Sequence, residues 1–118
     1  MARKALLVDD EPSILVTLGL VLESKGFDVQ TATSARIAKE HLSTSAFDLV
    51  ITDLNMETPT SGYDVVQYAK RQPKPPATLV ISGFPEVLDK WKKEGADAML
   101  QKPADVPELL NMIKRILP

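Results

Sequence analysis

Ala5-Leu6-Leu7-Val8-Asp9-Asp10 sets four apolar residues immediately before two carboxylates. A short, largely apolar run ending in an acid, a hydroxyl or a lysine recurs at Leu49-Val50-Ile51-Thr52-Asp53, at Thr78-Leu79-Val80-Ile81-Ser82 and at Met99-Leu100-Gln101-Lys102-Pro103. Apolar runs of this length, separated by helix-like stretches, read as strands of a parallel sheet buried on both faces. The carboxyl ends of such strands lie along one edge, where ligands bind. Three carboxylates, one hydroxyl and one lysine are therefore predicted to converge on a single site. Such a set suits a divalent metal and a phosphoryl group.

The stretches between the runs carry helical punctuation. Glu11-Pro12 opens a first helix, since proline is tolerated in a first turn. Ile14, Leu15, Leu18, Val21 and Leu22 supply its buried stripe, and Gly26 ends it. Asp28 to Ala32 reads as a second strand, and Ser34 as the cap of a helix reaching about Leu42. A third strand from Asp48 to Thr52 leads to a helix that begins at Gly62 or Tyr63 and stops before Pro73. Pro73-Lys74-Pro75-Pro76 is a stiff loop, followed by a fourth strand from Ala77 to Ile81. A helix from near Pro85 to Glu94, a strand from Ala98 to Gln101 and a helix from about Asp105 to Leu117 complete the chain. Val106, Leu109, Leu110, Ile113 and Leu117 form the last helix's core stripe. The alternation predicts an α/β domain over residues 1–118, a doubly wound parallel sheet with helices on both faces.

Bulk properties narrow the function. The 118 residues suffice for one domain with a real core. At 44% apolar and 25% charged, the balance is that of a soluble globular protein. A net charge of −2 with no basic stripe argues against direct nucleic-acid binding. The absence of cysteine excludes disulfides and thiolate metal sites. The N-terminal apolar run is too short for membrane insertion or a signal peptide, which points to the cytoplasm.

Crowded carboxylates repel one another, and at neutral pH a divalent cation relieves that repulsion. Magnesium keeps several waters and takes few carboxylates, which fits Asp10 and Asp53 as direct ligands and Asp9 acting through water. Asn55 offers its backbone carbonyl. Acids after strands also cap helix N-termini, and Asp9 or Asp10 alone reads that way. His41 has no histidine or cysteine partner, Trp91 fits a packed helical face, and Lys90, Lys92 and Lys93 fit a solvated one.

Taken together, Asp9-Asp10, Asp53, Ser82 and Lys102-Pro103 make the chain resemble a response regulator receiver domain, the phosphoacceptor module of two-component signalling, over essentially its whole length. The resemblance implies a (βα)5 flavodoxin-like fold with strand order 2-1-3-4-5. It implies that Asp53 accepts a phosphoryl group from a phosphohistidine, donated by a sensor histidine kinase or a histidine phosphotransfer protein, with Mg2+ as cofactor. Ser82 and Lys102 would contact the phosphoryl group, and the Lys102–Pro103 bond would be cis. Val16 and Leu20, opposite the first helix's core stripe, fall where the donor usually docks. Such a domain is not an enzyme in the ordinary sense, catalysing only its own phosphorylation and dephosphorylation, and its output partner is not specified by the sequence.

The chain also departs from the family pattern. Glu57 stands where receivers commonly have proline, and the loop from Met56 to Ser61 is one residue longer than usual. Met99 replaces an aromatic ring that swings inward on activation, and Phe84 is a candidate to share that gating role. One alternative is a pseudo-receiver, an interaction module whose output does not depend on phosphate. Another is a phosphoaspartate hydrolase, which needs an acid where this chain has Asn55.

Overall fold

The computed structural model describes residues 2–83 and 90–117. Five strands, β1 (Lys4–Val8), β2 (Asp28–Ala32), β3 (Leu49–Asp53), β4 (Ala77–Ser82) and β5 (Ala98–Gln101), alternate with helices. The helices are α1 (Pro12–Ser24), α2 (Ala35–Thr44), α3 (Ser61–Lys70), α4 (Lys90–Lys93) and α5 (Val106–Ile116). All strand pairs are parallel, in the order β2-β1-β3-β4-β5. This is the doubly wound sheet that the alternating pattern predicts.

Strand periodicity divides the core. Ala5, Leu7, Leu49, Ile51, Leu79, Ile81, Ala98 and Leu100 face one way, against Leu15 and Leu22 of α1 and Leu109 and Ile113 of α5. Leu6, Val8 and Val50 face the other way, against Ala38 and Leu42 of α2 and Val65 and Ala69 of α3. β1, β3 and β4 are buried almost throughout, which is why they read as continuous apolar runs rather than alternating ones.

Local signals explain the boundaries. Pro12 occupies the first turn of α1, and Gly26 follows that helix at φ +91°, an angle at which a side chain would be strained. The Ser34 side chain caps α2 by accepting from the Ile37 N–H at 3.1 Å. Asp105 does the same for α5 from Glu108 at 3.2 Å.

Some boundaries differ from the sequence reading. α2 runs on to Thr44, because the Ser43 and Thr44 hydroxyls donate back to the Glu40 carbonyl and keep polar residues in the last turn. α3 starts at Ser61. Val106, predicted for the core stripe of α5, is exposed, because it sits directly after the cap, before the helix reaches the sheet face. The predicted start of the fourth helix at Pro85, and the candidate gate Phe84, lie outside the described residues.

Candidate phosphoryl and metal site

The register brings the carboxyl ends of β1, β3, β4 and β5 together along one edge. Val8 aligns with Ala32 and Thr52, Asp53 with Ile81, and Ser82 with Gln101. Past these pairs the chain leaves the sheet under backbone control. The Asp9 N–H donates to Ala32 O at 3.1 Å, Leu54 N–H to Ile81 O at 2.9 Å, and Lys102 N–H to Ser82 O at 2.7 Å. Asp9, Asp53, Ser82 and Lys102 therefore emerge from neighbouring strand ends.

Asp9, Asp10 and Asp53 each offer a carboxylate oxygen, and these oxygens lie within 4.8 Å of one another. Asp9 and Asp53 are buried, while Asp10 is exposed. Asp9 also accepts the Glu11 N–H at 2.9 Å, so it serves the start of α1 as well as the acid group. Lys102 Nζ lies 2.9 Å from Asp9 Oδ2 and 3.5 Å from Asp53 Oδ2. The bond between Lys102 and Pro103 is cis.

The charges are not balanced evenly. Burial, then repulsion from Asp9, raises the Asp53 pKa; Lys102 pulls it down and Asp10 adds a smaller push upward, leaving a net rise. Lys102 is also raised. Burial opposes its charge, but its hydrogen bond to Asp9 and the attraction of Asp53 and Asp9 outweigh that. The lysine is thus held as an ammonium by its two acids, while burial and the neighbouring acids leave Asp53 short of positive charge.

The β3–α3 loop is tightly built. Gly62 N–H donates to Leu54 O at 2.9 Å. A Cβ at Gly62 would lie 2.6 Å from Leu54 Cα and closer still to the Asp53 carbonyl oxygen, so only glycine lets α3 press on the backbone of Asp53. Ser61 Oγ accepts from Met56 N–H at 3.1 Å and donates to Thr58 O at 3.0 Å. Asn55 is half-buried, with its side-chain amide donating to Pro59 O at 2.8 Å. Ser82 is buried at the end of β4. Met99 is half-buried against the cluster of Leu54, Tyr63, Val66, Val80 and Ala96, beside Trp91.

Glu57 has a role the sequence reading did not find. Both its carboxylate oxygens accept from the Ala35 N–H, at 3.1 and 2.9 Å, across 22 residues of chain. Burial alone would raise the Glu57 pKa, but the Ala35 N–H, its own N–H, the Arg36 N–H and Lys39 together bring it below the ordinary glutamate value. Nothing in a local pattern signals that contact. The close approach at Gly62 had a fainter signal, a glycine at the start of a helix.

Comparison with known proteins places this geometry. The family model described as response regulator receiver domain matches residues 5–114. The response regulator protein PilR of Pseudomonas aeruginosa is 34% identical over 117 residues, covering 98% of this chain and 26% of its own length. The chain thus spans about a quarter of that relative. The chemotaxis response regulator CheY4 of Vibrio cholerae superposes with a TM-score of 0.85 at 31% identity, over 99% of this chain and 100% of that one. The receiver domain of sensor histidine kinase PA1611 of P. aeruginosa, solved with magnesium in its active-site cleft, has the same fold, with a TM-score of 0.84 at 19% identity over 98% of each chain. Sequence match, strand order and the acid–lysine edge agree that the chain belongs to the response regulator receiver domain family.

Proposed function

We propose that the chain is a phosphoacceptor switch, phosphorylated on Asp53 by a sensor histidine kinase or histidine phosphotransfer protein. The observation that carries this reading is the Lys102 ammonium set between Asp9 and Asp53 beside a third carboxylate. Hard oxygen donors, a shortage of positive charge and the raised pKa of Asp53 fit a magnesium ion. Asp10, Asp53 and the Asn55 backbone carbonyl would hold it directly, with Asp9 acting through water. When bound, magnesium supplies charge neutralisation and orients phosphoryl oxygens.

In the transfer, an Asp53 carboxylate oxygen forms a bond to phosphorus while the P–N bond of the donor phosphohistidine breaks. The bonding pair returns to the imidazole nitrogen, and Asp53 becomes an acyl phosphate. Lys102 offers its ammonium to the phosphoryl oxygens and exchanges its contact with Asp53 for one with the new dianion. Ser82, at the end of the neighbouring strand, donates its hydroxyl to the same group and moves toward it. Val16 and Leu20, both 63% exposed on α1, give the donor an apolar footing. Among the described residues no helix is long and apolar enough to cross a membrane, and we place the domain's work in the cytoplasm. The intact acid set leaves nothing to favour a phosphate-independent module.

Magnesium titration followed by backbone amide shifts tests the site. Residues 9–11 and 53–56 should move on saturation. Asp10→Asn should weaken binding far more than Glu11→Gln. Equal effects of the two substitutions would make the acids helix caps rather than ligands.

A further inference from the structure

α2 begins with donors that its own helix cannot satisfy. Ser34 answers the Ile37 N–H with its side chain and the Ala38 N–H with its carbonyl. The Ala35 N–H is answered from elsewhere, by both carboxylate oxygens of Glu57. Glu57 belongs to the loop that leaves Asp53, two residues beyond Asn55. On its far side that loop is fastened to itself, through Ser61 Oγ with Met56 and Thr58 and through Gly62 with Leu54. Met56 packs on the apolar cluster beneath α2, and Glu57 adds the side-chain hydrogen bonds that tie the loop to that helix.

From this we infer that Glu57 is a positioning residue for the phosphoryl site. By gripping the first turn of α2 it fixes the loop that presents the Asn55 carbonyl to the metal and sets the start of α3 against Asp53. The inference rests on the receiver chemistry proposed above and adds to it a residue that touches neither metal nor phosphoryl group. It also links α2 to the site. Any partner that shifts the first turn of α2 alters metal affinity through Glu57, and metal binding alters the partner's affinity by the same factor.

The full chain with Glu57→Ala, Glu57→Gln and Ser34→Ala separates positioning from simple capping, since Ser34→Ala removes a cap from the same helix without touching the loop. Both alanine variants should melt at lower temperature. Only Glu57→Ala should raise the magnesium dissociation constant, by about tenfold, the scale seen when a group supporting a metal ligand is lost. It should also speed amide exchange at Met56 and Gly62. Glu57→Gln, which keeps one carbonyl acceptor for Ala35, should recover much of both losses. Magnesium affinity and loop exchange in Glu57→Ala that match the wild type would overturn the positioning role, as would equal losses in Ser34→Ala. A wild-type chain that binds neither magnesium nor beryllium fluoride would instead refute the receiver chemistry, and the positioning role with it.

Discussion

Two aspartate–lysine pairs sit at opposite edges of the same sheet and are built for different ends. At the amino edge, Asp97 accepts from the Thr78 N–H at 2.8 Å and the Thr78 hydroxyl at 3.3 Å, and pairs with Lys70 at 3.0 Å. Its single charge is answered by one cation and two donors, and it joins the entry of β4 to that of β5. At the carboxyl edge, Asp53 shares one lysine with Asp9, stands near Asp10, and has its pKa raised. The first pair stabilises the fold. The second leaves a concentrated negative charge that a bound cation would relieve, and it should lower stability while no cation is bound.

Breaking the two pairs should therefore move stability in opposite directions. Asp97→Ala leaves the N–H of fully buried Thr78 without this acceptor and should cost about 2 kcal/mol, a fall in Tm of roughly 10 °C by thermal melt. Asp53→Asn removes a self-repelling charge while Lys102 keeps Asp9, and should stabilise by about 1 kcal/mol. A loss of stability in Asp53→Asn would mean that its pair with Lys102 outweighs the repulsion.

The gain should depend on pH. Because burial and Asp9 raise the pKa of Asp53, the folded protein holds that proton more tightly than the unfolded chain. Asp53 accordingly favours folding in acid, and this contribution is lost as pH rises through its folded-state pKa. The Tm gap between Asp53→Asn and wild type should open as pH rises above the ordinary aspartate range and close below it. A gap that stays constant would remove the electrostatic explanation.

The smallest expected stability change lies away from both edges. Leu20→Ser on the exposed face of α1 should alter stability by less than about 0.5 kcal/mol, yet slow phosphotransfer from a histidine donor. An unchanged transfer rate would free that face of the docking role.

The frame was legible because its signals are local. Continuous apolar runs mark β1, β3 and β4, proline and glycine punctuate α1, and Ser34 announces α2. The convergence of Asp9, Asp53, Ser82 and Lys102 follows from strand parity and a shared edge. Which particular groups bond across distant segments was not legible. Lys102 bonds Asp9 across 93 residues, and Glu57 reaches Ala35 across 22, and neither spacing has a repeat to betray it. Val106 misled for the converse reason, since a helical period can be continued on paper past the point where the helix meets the sheet.

Intact mass after incubation with a small acyl-phosphate donor and magnesium tests the central claim most directly. The wild-type chain should gain one phosphoryl group, and a chelator should abolish the gain. Asp53→Asn should show none, and Lys102→Ala should fold but take up the group poorly or fail to respond to it. A modification that persists in Asp53→Asn, or a wild-type chain that never gains the mass, would contradict the assignment of Asp53 as the phosphoacceptor.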